Sequence, residues 1–223
     1  MVKDAIILLS GGLDSALNLV LAKESIALAL TIDYGQRAVN NEIKAAQELT
    51  EYYGIKHKIL KIDFFNGLQG GALLGETEVP VLTDEQLAND TILQEETAKK
   101  VWVPNRNGLF INIAATLAEG MNLNKIIVGF NAEEAQTFPD NSQQFIDAIN
   151  FSLSFSTQNS VKVISKTTHL TKKEMMELVI AKKIPLTKVW SCYHSGVKQC
   201  QECESCMRFQ RAYRLVMGVD YVY

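Results

Sequence analysis

Two stretches of the chain combine residue types and spacing that can do chemistry: Ser10-Gly11-Gly12-Leu13-Asp14-Ser15 near one end, and Cys192, Cys200, Cys203 and Cys206 near the other. The first lies between an unbroken apolar run, residues 5–9, and a stretch whose apolar spacing suits a helix opening on cap-type residues. Gly11 and Gly12 can adopt dihedrals closed to other residues and carry no Cβ, so backbone N–H groups of the turn can come within hydrogen-bond distance of phosphate oxygens. The start of the helix adds partial positive charge at the same point. Leu9 and Leu13 flank the turn, Ser10 and Ser15 supply hydroxyl donors, and Asp14 can cap the first turn or hold a magnesium ion bridging the phosphates. The ligand this implies is the pyrophosphate portion of ATP, with Mg2+. A bare strand-to-helix turn is the plainer alternative.

The hexad has neither the lysine of G-x-x-x-x-G-K-[ST] nor the third glycine of the dinucleotide fingerprint. It resembles instead the signature of the N-type ATP pyrophosphatases, or PP-loop enzymes. That resemblance implies activation of a carboxyl or carbonyl oxygen as an adenylate, with release of pyrophosphate.

The cysteines are spaced C-x7-C-x2-C-x2-C, and they are all four cysteines of the chain. Each C-x2-C turn points two sulfurs at one ion, so the spacing suits a closed tetrahedral Zn2+ site, structural because no coordination position is left for water. An iron–sulfur cluster is the chemical alternative, and disulfides are disfavoured in a reducing compartment. His194 reads as a loop residue, since four sulfurs already complete the shell.

These stretches need elements to position them. Apolar runs at residues 5–9, 26–32, 57–62, 125–130 and 161–165 alternate with helical patterns, which predicts an α/β fold: a Rossmann-like parallel sheet of about five strands with helices on both faces. Lys58 and Lys61 place the third strand nearer the sheet edge. The expected division is an ATP-binding α/β domain over residues 1–188 and a zinc-binding segment with a C-terminal helix over 189–223. Residues 63–103 break the pattern with Gly67, Gly70-Gly71, Gly75 and Pro80, and read as an insertion or lid that carries a capping box at Thr83-Asp84-Glu85-Gln86.

Ligands of an open parallel sheet collect beyond the carboxyl ends of its strands, which brings Asp33, Gln36 and Arg37 toward the nucleotide. Arg106 stands at a loop-to-helix junction where it can pair bidentately with phosphate or carboxylate, and Lys172 stands where a capped helix begins at the ligand edge. The loop at residues 131–142 carries Glu133, Glu134 and Asp140 with Phe138. It suits a flat ring on Phe138 whose N–H edge is accepted by a carboxylate such as Asp140. Arg208, Arg211 and Arg214 recur at three-residue spacing and read as a solvated or zinc-adjacent basic face.

The chain has 223 residues, 47% hydrophobic and 21% charged, with a formal net charge of −3. That suits a compact enzyme acting on small molecules and argues against a surface that neutralises nucleic acid. The N-terminus shows no signal-peptide pattern and no apolar run approaches the roughly 20 residues of a membrane span, so a cytoplasmic protein with no membrane partner is expected.

Taken together, the hexad, Tyr34-Gly35-Gln36-Arg37, Val103-Pro104-Asn105-Arg106-Asn107, Phe138-Pro139-Asp140 and the four-cysteine tail resemble the 7-cyano-7-deazaguanine synthase family over nearly the whole chain. The resemblance implies an adenine nucleotide alpha hydrolase-like domain, one structural zinc, and conversion of 7-carboxy-7-deazaguanine, ammonia and ATP to the nitrile preQ0. The expected site residues are 9–15, Asp33 and Arg37 for the nucleotide; Asp14, Arg106 and Lys172 for catalysis, the two cations stabilising phosphate charge and Asp14 holding magnesium; Glu133, Phe138 and Asp140 for the ring; and the four cysteines for the metal. The expected partners are those small molecules and, in a homodimer, a second copy of the chain. The chain departs from the family pattern at Ala38 (often His), Asn105 (Gly) and residues 138–142 (Tyr-Pro-Asp-Cys-Arg). Another PP-loop enzyme is the competing expectation: a tRNA sulfur transferase, which would need an alkylation-labile cysteine, or an amide ligase. A zinc-ribbon RNA-binding module, with salt-sensitive RNA binding and no ATP consumption, is the non-enzyme alternative.

Overall fold

The computed structural model describes residues 2–65, 67, 71–75, 77–89 and 91–222; Gly70, noted above, lies outside them. In chain order the elements are β1 (Ala5–Leu8), α1 (Leu13–Ala22), β2 (Ile26–Asp33), α2 (Val39–Tyr53), β3 (His57–Lys61), α3 (Gly71–Leu74), α4 (Asp84–Asn89), α5 (Thr91–Val101), α6 (Arg106–Gly120), β4 (Lys125–Ile127), α7 (Glu134–Thr137), α8 (Gln143–Ser156), β5 (Lys162–Ile164), α9 (Lys172–Ala181) and α10 (Glu204–Met217). The strands form one parallel sheet in the order β3-β2-β1-β4-β5.

Why the inner strands read as unbroken apolar runs is visible in the packing. Ile6 joins the core made with Ile111, Ala114 and Ala118 of α6 and Ile149 of α8, while its neighbours Ala5 and Ile7 pack on the other face with Leu19 of α1 and Ala46 of α2. Both faces of the strand are therefore dry, and full burial of a side chain such as Ile6 or Ile7 contributes about 1.5–3 kcal/mol. β3, interrupted by lysines, lies at the edge of the sheet with only part of its surface covered.

The chain leaves β1 toward β2 on one side and reaches β4 on the other, so the carboxyl ends of β1 and β4 flank a switch point, the usual crevice for a ligand. Two glycines make the crevice possible. Gly11 is left-handed (φ +81°), and a Cβ there would meet Ala45 Cβ at 2.7 Å and the Glu42 carbonyl oxygen at 2.8 Å. Gly129, after β4, would meet Ser15 N at 2.8 Å. Gly11→Ala is expected to lower the unfolding free energy by about 2–4 kcal/mol, through overpacking added to backbone strain. Chemical denaturation reads this directly, and a loss under about 0.5 kcal/mol would show that α2 does not press on the loop.

The 63–103 stretch is not structureless. It forms α3, α4 and α5 around buried Leu73, Val79, Leu82 and Val101, and Thr83 and Gln86 make the expected reciprocal cap at 2.9 and 3.2 Å. It is sewn to the C-terminal segment by a backbone bridge between Val81 and Cys203 and by Glu204 N donating to Pro80 O at 3.2 Å. Cys192, Cys203 and Cys206 share the principal core cluster with sheet residues. No described helix is long and apolar enough to cross a membrane.

Several boundaries differ from the sequence reading for identifiable reasons. β4 ends at Ile127 and not at residue 130, because the chain must bend at Gly129 to clear α1. α6 begins at Arg106 itself, because Asn105 turns the chain in the left-handed region (φ 49°). That conformation accounts for the departure at position 105: asparagine is among the few residues that replace glycine there at low strain. The 131–142 loop holds the short helix α7 and a single 3-10 turn at Pro139–Asn141.

Candidate active site

A cavity of about 310 Å3 opens at the carboxyl ends of β1, β2 and β4. Its floor is the Ser10–Ser15 turn. Gly12 N donates to Ser10 Oγ at 3.3 Å, Ser15 Oγ donates to Gly12 O at 3.0 Å, and the two hydroxyls meet at 3.2 Å. Trp190 N, from the C-terminal segment, donates to Gly11 O at 2.9 Å, so that segment is anchored on the loop itself.

Asp14 does not cap α1, whose N-cap is Gly12, a residue with no side chain to cap it. Its carboxylate turns into the cavity, where Oδ2 accepts from Asn131 Nδ2 at 2.9 Å and from Lys172 Nζ at 2.5 Å; Oδ1 is buried with no hydrogen-bond partner. Lys172 Nζ also pairs with Glu134 Oε1 at 2.7 Å. Local structure sets this up: Asn131 Oδ1 accepts from the backbone N–H groups of Glu133 and Glu134, starting α7, while Thr171 and Glu174 cap the start of α9 reciprocally.

One ammonium thus serves two carboxylates. Burial raises Asp14 to about 6, with Lys172 opposing and Glu134 adding to the rise. Burial also works against the charge on Glu134, but Lys172 outweighs it and holds that carboxyl at about 2. The direction on Asp14 has a consequence for stability. The folded state binds its proton more tightly than the unfolded chain, so ionised Asp14 destabilises the fold at neutral pH, and the penalty fades as pH falls through about 6 toward 3.8. Asp14→Asn is therefore expected to raise the unfolding free energy of the ligand-free protein by about 1–3 kcal/mol at pH 8, with little gain near pH 4. Urea titrations at the two pH values decide it; a destabilised variant at pH 8 would mean the aspartate is held by attraction and not against its desolvation.

Arg106, at the start of α6, donates to Tyr34 Oη at 3.3 Å and, among the described residues, has no carboxylate within ion-pair distance. Tyr34 is fixed edge-on by Phe65 and Phe110 at 5.7 and 5.1 Å. Burial opposes the Arg106 charge, yet Tyr34, Asp140 and Glu42 keep its pKa above the usual value. The result is a half-buried, permanently charged guanidinium with donors to spare.

The remaining expected residues divide. Leu9, Ser10, Gly12, Leu13, Ser15, Arg37 and Phe138 line the cavity. Gly11 backs onto α2, and Arg37 spends its guanidinium on the carbonyls of Gly75 and Thr77, holding the insertion in place. Asp33 lies off the wall, where its carboxylate accepts from Gly35 N at 3.1 Å and shapes the turn. Glu133 also turns away, accepting from Lys172 N at 2.9 Å; the step from N-cap to first residue of α7 puts Glu134 in the cavity instead. Asp140 lies behind the wall, paired with Asn141 Nδ2 at 3.1 Å, and Asn141 lines the cavity in its place. Arg208 is not on a solvated face: it reaches the cavity, paired with Glu204. Asn131, Glu42, Trp190, Tyr193 and Glu204 were not marked as site residues. Only Glu134 carried a usable signal, its place three residues after Asn131 in a loop beyond a strand end.

The four cysteine sulfurs lie within 4.8 Å of one another, with separations of 3.4, 3.9 and 4.0 Å among them. Zinc–sulfur bonds of about 2.3 Å in a tetrahedron require sulfur separations of about 3.8 Å, so the set fits one such ion. A four-iron cube would hold the sulfurs farther apart, each on a different iron. Backbone N–H groups of His194 and Cys200 point at Cys192 Sγ and that of Cys203 at Cys200 Sγ, all at 3.3–3.4 Å, as suits thiolates. Gln199 staples the loop by accepting from Ser191 N and Cys192 N at 3.1 Å. None of the cysteines lines the cavity.

Comparison with known proteins fits this geometry. A family model described as queuosine biosynthesis protein QueC matches residues 4–217. The chain is 48% identical over 216 residues to a 7-cyano-7-deazaguanine synthase of Desulforudis audaxviator, covering 96% of this chain and 98% of the relative. It is 45% identical over 215 residues to one of Bdellovibrio bacteriovorus, covering 95% and 93%. Among solved structures, NMN synthetase from Francisella tularensis shares the fold at a TM-score of 0.51 and 17% identity, over 99% of this chain and 79% of that one. The U34-tRNA thiolase NcsA from Methanococcus maripaludis, with its [4Fe-4S] cluster, does so at 0.50 and 15%, over 96% and 69%.

Proposed function

Because the chain belongs to the QueC family of queuosine biosynthesis proteins, we propose that it is an ATP-dependent ligase that converts 7-carboxy-7-deazaguanine and ammonia to 7-cyano-7-deazaguanine, the nitrile preQ0. The observation that carries this reading is the Asp14–Lys172–Glu134 cluster at the mouth of the Ser10–Ser15 turn, with Arg106 in the same cavity and free to receive an anion.

In the first round a carboxylate oxygen of the substrate attacks the α-phosphorus of ATP, and pyrophosphate leaves with the bonding electrons. Ammonia then attacks the acyl carbon, AMP departs with that oxygen, and the nitrogen sheds a proton to leave the amide. In the second round the amide oxygen attacks a second ATP. Loss of AMP with the two remaining N–H protons leaves the nitrile. The N–H groups of the turn hold the β- and γ-phosphates, and Lys172 and Arg106 stabilise charge gathering on the α-phosphate. Phe138 supports the ring.

A Mg2+ ion suits the orphaned Asp14 Oδ1, an oxygen ligand left buried without a donor, and when bound supplies neutralisation of the phosphates. One structural zinc on the four cysteines suits their sulfur geometry. The small-molecule reading extends to a cytoplasmic enzyme, with or without a second copy of itself, that needs no nucleic acid. Placing all four cysteines away from the cavity removes the nucleophile that sulfur transfer would need.

The test is a mass-spectrometric assay of zinc-loaded protein with the acid, ammonium and Mg-ATP, following ring species and nucleotides together. Nitrile with two AMP per ring is the expected product. Bound ATP without AMP or altered ring would end the reading and turn attention to other carboxylates.

A further inference from the structure

Among the described residues, five have a buried polar side-chain atom with no hydrogen-bond partner, and three of those, Asp14, Arg37 and Glu204, line the cavity. Asp14 Oδ1 suits the magnesium ion, and Arg37 already donates to two carbonyls; Glu204 takes no part in the phosphate contacts proposed above.

Its side chain is 2% exposed, on the first turn of α10 between Cys203 and Cys206. Its backbone is held by Pro80 O, and its Oε1 accepts both Nε and Nη2 of Arg208 at 3.0 and 2.8 Å. Oε2 accepts nothing. A buried carboxylate oxygen left without a donor is costly, on the order of 1–3 kcal/mol, so its partner is expected to arrive with a ligand.

That partner must bring a hydrogen-bond donor. The proposed reaction offers the adenine amino and ribose hydroxyl groups of ATP, which are neutral, the N–H edge of the ring, and ammonium, which alone carries the complementary charge. The ring edge donates from two adjacent nitrogens and matches a carboxylate with both oxygens free, but Arg208 has already filled Oε1. A single remaining anionic oxygen fits a donor with one nitrogen and a positive charge. Asp140, the carboxylate expected to read the ring edge, stands behind the wall and offers no competing site for the same ion.

We propose that Glu204 Oε2 is the binding site for the nitrogen donor, taken up as the ammonium ion and releasing one proton to solvent before it attacks as ammonia, with Arg208 a positioning residue that fixes which oxygen is free. The proposal rests on the ligase reading above and adds a subsite to it.

Glu204→Gln keeps the shape of the side chain and removes its charge. The KM for ammonium is expected to rise about tenfold or more, with the KM values for ATP and ring acid within about twofold of wild type. ATP–pyrophosphate exchange supported by the ring acid without ammonium should be unchanged, because it needs both other substrates and no nitrogen. An unshifted ammonium KM overturns the subsite, as does a rise in the ring-acid KM with loss of exchange, which would make Glu204 a reader of the ring. Absence of exchange in the wild-type enzyme instead strikes the ligase reading itself. If the variant loses its metal or its fold, the wild-type protein still decides: Tl+, of ammonium's charge and similar size, should give an anomalous peak in contact with Oε2 in crystals, and an empty position at saturating Tl+ refutes the proposal.

Discussion

Lys172→Met is expected to lower kcat by about 10^3-fold, since a preorganised cation facing a developing phosphate charge is removed from a dry site. The same change leaves Asp14 and Glu134 buried beside each other without a counter-ion, where they now share Nζ at 2.5 and 2.7 Å. Breaking such a pair costs about 3–5 kcal/mol in folding stability. The loss should deepen as pH rises, because protonating either carboxyl relieves it. Adding Asp14→Asn to Lys172→Met is expected to recover much of the stability and none of the activity. That separates the two roles of the lysine: a double variant as unstable as the single one would place the instability elsewhere, and a Lys172→Met enzyme within tenfold of wild-type kcat would remove the lysine from the charge-stabilising set.

Cys203→Ser should have the second large effect. Cys203 is fully buried, shares the main core with the sheet, and forms the backbone bridge to Val81 that ties the insertion down. Loss of a ligand from a closed thiolate site is expected to empty it, and because binding free energy at such sites is also folding free energy, several kcal/mol of stability should go with it. Since Trp190 and Glu204 enter the cavity from this segment, turnover should fall to background as well. Elemental analysis with thermal unfolding gives the readout: about one zinc per wild-type chain and almost none in the variant is the expected pair. A metal-free variant with unchanged unfolding and full activity would show the site to be dispensable.

What the sequence disclosed follows from which forces act locally. The inner strands β1 and β2 were legible because residues buried on both faces leave continuous apolar runs, β3 because its lysines mark a sheet edge, and the Ser10–Ser15 and cysteine spacings because a turn and a metal each constrain nearby residues. Carboxylate roles were harder to read. Glu133 and Glu134 are indistinguishable in a string of residues, and the step from N-cap to first residue of α7 sends the first to the backbone of Lys172 and the second to its ammonium. Asp33 ends β2 and Asp140 lies in the loop beyond β4, both as expected, but they are drawn off by neighbouring N–H and amide groups. Glu204 carried no mark, and Arg208 read as part of a solvated or zinc-adjacent face; both are buried where the insertion meets the C-terminal segment, and of that stretch the sequence disclosed the cap that opens α4 but not α3, α5 or this contact.

In the proposed reaction one phosphate site adenylates the two oxygens of a single carboxyl carbon in turn. The direct measurement uses ring acid labelled with 18O in both carboxylate oxygens, with the AMP and ring products weighed after complete conversion. Each of the two AMP molecules per nitrile should carry one 18O in its phosphate, and the transient amide should retain one. Unlabelled AMP, or label appearing in inorganic phosphate beside ADP, would contradict adenylation and require a different activation chemistry at this cavity.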